Sequence, residues 1–521
     1  MGEKKLKNLN DLGIQIHDDH KVPFTRREFL ASGIIGLSTL ALAPSLMLHS
    51  PEAIAETAAE GTLGLGFICF EGAGGMNIAG GNVMVGFGAD EEQENYGSTS
   101  FGDYILLGIP PSMHPSKSGM VSKEYGLVFH STSGILAGMN EVLTADLKES
   151  IDGIIICGRT ADDTAENPIN VAFQAQRSGA KGKLVQLIGN TGSPTGARSP
   201  AVATQIKSDM RSSRITNFAE GSGLLSIGAD ALNPNFLNLG ATGGINRIRS
   251  FLNSITGLSK SQMDKYVNNE LEKQAVGNSQ KGSGEVFKTF SPIALNPRNN
   301  PASIAQLQAA FGGTGTAVTD ESIAAVANLV TDRIAGVGSI TVGGCDYHSG
   351  RATDGMAKDL EIGRYIGKCI KLAALKGQSL FIPLYTDGGV GGDNAGTTDD
   401  TVGGFGRVNW TGDNGTTSSQ VCIVYKHNHK RSLSGSLILN GKTRQIGHFK
   451  QGGGIQLTST SVSNSVEQMW KAVILNYLAC MSNVAPDLVV EDVKKRFKEL
   501  FPSETIPSDV DKLIRFKSIV A

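Results

Sequence analysis

The chain has 521 residues, with 47 Lys and Arg against 49 Asp and Glu and a formal net charge of −2, a balance that offers no basic face for nucleic acid. Charged residues make up 18% of the chain and glycine occurs 66 times, which argues against long charged helices and for tight turns with close backbone packing. The length exceeds the about 100–200 residues of one simple domain and suits a large α/β unit with insertions.

In chain order, residues 1–55 read as an address rather than as part of the fold. A polar leader ends in Thr25-Arg26-Arg27-Glu28-Phe29-Leu30, and a mildly apolar segment rich in Gly, Ala, Ser and Leu runs to residue 48. The pair Arg26 and Arg27 before such a segment has the pattern of a twin-arginine export signal. Gly33, Gly36, Ser38 and Pro44 weaken the segment as a membrane anchor, and Ala53-Ile54-Ala55 is a small-x-small signature that puts cleavage after Ala55. The expectation is a protein that crosses the membrane already folded, into the periplasm or beyond the cell. Its partners would be the twin-arginine export machinery and a protein of the envelope or surface.

From residue 56 to 233 strand and helix signals alternate, as in the first part of an α/β domain. Residues 63–70 are an apolar strand ending at Gly72-Ala73-Gly74-Gly75-Met76-Asn77, a turn open only to small residues. Residues 109–116 are a Pro-rich loop, residues 126–130 another strand, and residues 154–157 begin a βαβ whose helix ends near Ser178-Gly179 and whose second strand is 183–188. Residues 234–336 are poor in strand signals and read as a helical insertion. Ser259 and Gln262 have the spacing of a capping box, and Ile323, Val326, Ala327, Val330 and Ile334 share one helical face.

Residues 337–483 are the second part of the α/β domain. Residues 340–342 and 380–384 are short apolar runs of the kind found in strands covered on both faces. Between them a helix places Glu361, Arg364, Lys368 and Lys371 on one stripe and Met356, Ile366, Ile370 and Ala373 on the other. Ligand sites in open α/β sheets lie beyond the carboxyl ends of the strands, so the loops 345–355 and 387–409 are where chemistry would sit. Residues 421–425 and 437–440 suggest an edge hairpin, residues 465–480 a helix, and 484–521 a C-terminal helical tail. The six cysteines, Cys69, Cys157, Cys345, Cys369, Cys422 and Cys480, include three inside apolar strand-like runs, which favours small buried hydrophobes over disulfides.

The order of these segments resembles the exported proteins grouped as domain of unknown function 1501. The resemblance is carried by the leader, the turn 72–77, the loop Gly344-Cys345-Asp346-Tyr347-His348, the Gly-rich loop 388–392, the turn Asp413-Asn414-Gly415 and a final helix. That family is similar in fold to the alkaline phosphatase and sulfatase superfamily. The resemblance implies a three-layer α/β/α sandwich with a mostly parallel sheet and one or two divalent metals at the strand ends. It also implies departures. Gly74 stands where the family's first turn is acidic, the arginine-bearing loop falls on Thr386-Asp387-Gly388-Gly389, and Asn414 stands in place of a histidine. Residues 71–77 contain no Ser, Thr or Cys for the hydroxyl or thiol nucleophile that the superfamily places after its first strand.

Asp346 and His348, two apart, point to the same side of an extended segment and can share a metal or position a water. Asp387 and Asp393 would add oxygen ligands, a set that suits magnesium, manganese, calcium or zinc without choosing among them. The alternative for Asp346 and His348 is a hydrogen-bonded loop anchor, and for Asp387 and Asp393 acids that merely shape Gly-rich turns. Two functions follow: a binding or structural component with a degenerate alkaline-phosphatase-like fold, or a metal-dependent hydrolase of phosphate or sulfate esters.

Overall fold

The structure is a computed structural model that describes residues 65–96, 104–160, 171–191, 213–224, 295–347, 352–393 and 406–519. Arg26, Arg27 and Ala55, the capping box at Ser259, and His348 lie outside these residues. The strands are β1 Gly66–Ala73, β2 Val121–Glu124, β3 Leu127–His130, β4 Ile151–Cys157, β5 Val185–Gly189, β6 Ser213–Arg214, β7 Ala335–Gly343, β8 Leu380–Thr386, β9 Val390–Asp393, β10 Asn409–Asp413, β11 Ser419–Tyr425 and β12 Gln445–Ile446. The helices used below are α1 Gly134–Val142, α2 Ala172–Arg177, α3 Pro301–Phe311, α4 Glu321–Thr331, α5 Ala352–Leu375, α6 Met469–Cys480 and α7 Val489–Leu500.

Eight strands form one sheet in the order β12-β4-β11-β8-β1-β7-β5-β6. Every neighbouring pair is parallel except those of β11, which is antiparallel to both β4 and β8, so β11 alone runs against the other seven. The centre is β1, whose eight residues are all buried. Its register sets Phe70 beside Ile340 on one side and Leu384 on the other. Successive side chains leave the strand on opposite faces. Ile68 and Phe70 accordingly join one hydrophobic cluster and Phe67 and Cys69 a second.

Helices cover both faces. The first cluster takes Ile135 and Met139 of α1, Leu307 of α3, Val326 and Val330 of α4, and Ile366 and Ile370 of α5. The α1 and α5 backbones meet at glycines: a Cβ on Gly363 would lie 2.3 Å from the carbonyl oxygen of Ile135, and one on Gly138 2.2 Å from that of Leu360. The second cluster holds α2 and α6, and α6 is buried all round because α7 and the chain after it close over its outer side. Trp470 of α6 stacks on Phe497 of α7 at 5.8 Å.

Much of the predicted order stands: β1, β7, α5 and β8 fall on the expected segments, and Met356, Ile366, Ile370 and Ala373 face inward. One expectation changes, that of the edge hairpin, and three others are placed more closely. The strands β4 and β5 are parallel with α2 between them in sequence, as in the expected βαβ, but β11, β8, β1 and β7 lie between them in the sheet, a separation of roughly 24 Å at the usual strand spacing. Of that connection, α2 packs on the face of the second cluster. Residues 421–425 form no edge hairpin: β11 is interior, buried along its length and paired on both sides, while Ile438 only bridges to Phe516. An apolar run with both faces covered reads the same at either place. Residues 127–130 form a separate ribbon with β2. Finally, α3 and α4, from the expected helical insertion, pack with the sheet's own helical cover. All six cysteines are buried free thiols. Among the described residues no helix is long and apolar enough to cross a membrane.

Candidate functional site

The sequence motifs meet beyond the carboxyl ends of β1, β7 and β8. At the end of β1 the chain turns through Gly74 and Gly75, with φ of 111° and 87°, conformations that L side chains adopt only with strain. The freed amides point toward the end of β8. Asp387 Oδ1 accepts from Gly74 N at 2.9 Å and from Gly75 N at 3.4 Å, and Thr386 Oγ1 accepts from Met76 N at 3.0 Å. The same hydroxyl lies 2.8 Å from Gly72 O and 2.9 Å from Gly388 O. Thr386 is therefore a hub of backbone hydrogen bonds.

From the other side, the loop after β7 is stitched to the same turn. Cys345 N donates to Ala73 O at 3.0 Å and Tyr347 N to Gly75 O at 3.4 Å. The half-buried Asp346 carboxylate comes so close to Gly74 that a Cβ there would lie 2.2 Å from Asp346 Oδ1. Asp346 and Asp387 thus bracket one glycine. The Asn414 turn joins them, since Asn414 N donates to Gly389 O at 2.8 Å. Asn414 Oδ1 is turned inward on its own loop, accepting from Thr416 N and Thr416 Oγ1.

Asp393 stands apart, exposed at the end of β9 opposite Asn409. His348 is not among the described residues. His427 and His429 follow β11, and because that strand is reversed they lie at the opposite end of the sheet, near the starts of β8 and β4. His429 is buried, and burial pulls its pKa down. On the far side of β1 the buried Glu71 accepts from Thr341 Oγ1 at 2.8 Å. Among the described residues no three Asp, Glu, His or Cys side chains gather as a metal cage. The Asp346 and Asp387 carboxylates, which follow the two strands flanking β1, are nevertheless hard oxygen donors of the kind a divalent cation takes.

A second polar cluster sits behind the loop and was not visible in the sequence. Tyr347, buried, donates its hydroxyl to Asp359 Oδ2 in the interior of α5. Asn82 Nδ2 donates to the same oxygen at 2.6 Å and also to Asn77 O. Arg407, buried as well, donates to Gly81 O at 2.6 Å and Thr132 Oγ1 at 2.7 Å. His130 shares Thr132 Oγ1 through Nδ1 and contacts Met113 O through Nε2, and burial pulls its pKa down to about 4. Only Tyr347 had a sequence signal, through the loop motif. The others are single polar residues whose partners are far away in the chain.

No family model, curated protein or solved structure matches this chain.

Proposed function

We propose that the chain is a twin-arginine-exported protein with a three-layer α/β/α scaffold of the alkaline-phosphatase type, whose catalytic set is degenerate and which serves as a binding or structural component of the periplasm or cell surface. The observation that carries this reading is the use made of the two retained acids. Asp387 accepts from the amides of Gly74 and Gly75, and Asp346 fills the space a side chain at position 74 would need. Asp387 thereby ties the end of β8 to the turn after β1, and Asp346 packs against the same turn. What supports the scaffold assignment is the sheet with one reversed strand, helices on both faces, and four motif loops meeting at its carboxyl end.

The convergence of Asp346 and Asp387 also favours a second reading, in which they hold one divalent cation with His348 and hydrolyse phosphate or sulfate esters. When bound, such a cation would polarise a phosphoryl or sulfuryl oxygen. The test is metal analysis of the mature protein with assays on aryl phosphate and aryl sulfate in added magnesium, manganese or zinc. The first reading expects no turnover. Hydrolysis that disappears in His348→Ala would overturn it in favour of the second.

A further inference from the structure

Tyr347 follows Asp346 directly, and its side chain is clamped from several sides. A Cβ on Gly355 would lie 2.4 Å from the ring, and the Trp410 ring meets it edge-on with centroids 5.0 Å apart. Its hydroxyl ends on Asp359, which is 1% exposed. Asn82 holds the same Asp359 oxygen, while its own carbonyl accepts from Ser133 Oγ at 2.9 Å and Ile135 N at 3.2 Å at the start of α1. The other Asp359 oxygen is buried and takes no hydrogen bond among the described residues. One carboxylate therefore links α5, α1 and the turn after β1 to the loop that presents Asp346.

We propose that Asp359 is a positioning residue: through Tyr347 it seats the Asp346 loop on the β1 turn, and its ionisation tightens that seat. The seating needs no ligand; only its effect on a bound cation rests on the reading of the loop as ligand-bearing. An ionised acceptor makes a hydrogen bond about twice as strong as a neutral one, so the grip on Tyr347 is firmer when Asp359 is charged. Burial pushes the Asp359 carboxyl up to about 7, against the lowering pull of Asn82, Tyr347 and Arg407, which places the change in the neutral range. The groups that face this centre are Tyr347 and Cys345 from the loop and Arg407 from the segment before β10, with His130 beyond Arg407. Lys358 and Glu361, on the same helix, act on Cys345.

The test uses the metal-free mature protein and hydrogen exchange of the Cys345 and Tyr347 amides, which donate to Ala73 and Gly75. After correction for intrinsic rates, wild type should protect these amides several-fold better at pH 8 than at pH 6. Tyr347→Phe keeps the ring and should lose about tenfold protection at pH 8. Asp359→Asn, which keeps an acceptor, should hold intermediate protection with no pH step. PH-independent protection in wild type, or full protection in Tyr347→Phe, would overturn the proposal. Manganese titration of the same proteins separates it from the reading it rests on. Wild type that binds no manganese but shows the pH step removes the ligand role of Asp346 and leaves the seating intact. If manganese binds, Tyr347→Phe should weaken it about tenfold at pH 8, and unchanged affinity would refute the link between seat and site.

Discussion

Replacing Asp387 decides between its two roles because they predict opposite signs. As an acceptor for the buried amides of Gly74 and Gly75, the carboxylate makes one good hydrogen bond at 2.9 Å and one weak one at 3.4 Å. Bonds to a charged group contribute about 1.5–3 kcal/mol, and an orphaned buried donor costs a similar amount, so Asp387→Ala should lose roughly 3 kcal/mol. As one of two carboxylates held around Gly74 for a cation, Asp387 would instead repel Asp346 in the metal-free protein. Removing it would then stabilise the protein by roughly 1–3 kcal/mol at an effective dielectric near 20. Asp387→Asn relieves the repulsion but keeps an acceptor oxygen, so the difference between the Ala and Asn variants isolates the amide contacts. Urea unfolding of the metal-free mature protein measures it. We expect Ala to be less stable than Asn by about 2 kcal/mol. An Ala variant as stable as the Asn variant would mean that the turn does not depend on this acceptor, and would remove the support for the anchoring role.

Gly363→Ala should destabilise by about 1–3 kcal/mol despite the helix propensity it gains, because the new methyl meets backbone at 2.3 Å, whereas Gly367→Ala meets only the Val142 side chain at 3.0 Å and should be near neutral; urea midpoints of the pair check the close packing of α1 on α5. Phe497→Ala, which unstacks the tail from Trp470, should cost about 3–5 kcal/mol, and an unchanged midpoint would mean that the tail is not part of the core. Asp359 has a folded pKa raised to about 7 because its burial outweighs the firmer bond its charged form makes to Tyr347, so its net contribution to the fold is fully present below the ordinary carboxylate range and is lost as pH rises toward 7. His130, lowered to about 4, works the other way, its contribution present above about 6.5 and lost as pH falls. The two slopes oppose each other between about pH 4 and 6.5, so Asp359→Asn should unmask a stability that rises with pH, by an amount on the order of 3 kcal/mol, in pH-dependent urea titrations. Replacing Arg26 and Arg27 together with Lys should hold the precursor in the cytoplasm, which cell fractionation reads directly.

What could be read from the sequence was whatever is encoded locally. The helix α5 announces itself by the period of Met356, Ile366, Ile370 and Ala373, and the turn at Gly74 by adjacent glycines after an apolar strand. Pairing is different. The run around Val421 is apolar because both of its faces are buried, and that holds equally for an edge strand under cover and for an interior strand between β4 and β8. Only its reversed direction, set by the chain reaching it through β10 and the Asn414 turn, places its start beside the site and its histidines at the other end. The Asp359 centre was hidden for a related reason. A lone acid among helix residues looks like part of a solvated face until Tyr347 and Asn82 arrive from 12 and 277 residues away.

The same geometry changes what the missing acid means. If the chain does belong to the family that its motif order suggests, whose first turn carries an aspartate, Gly74 would read at first as the loss of a ligand. Yet the place such a side chain would occupy is not open, because Asp346 Oδ1 stands 2.2 Å from where the Cβ would be, and the backbone there has a φ of 111°. A residue with a side chain at 74 would have to push Asp346 out and would strain its own backbone. Negative charge at this turn comes instead from the loop after β7, which Tyr347 ties to the interior of α5. A turn built with one acid after each flanking strand has a use for both of them without any catalytic chemistry, and on that physical ground binding or structural work is proposed ahead of hydrolysis.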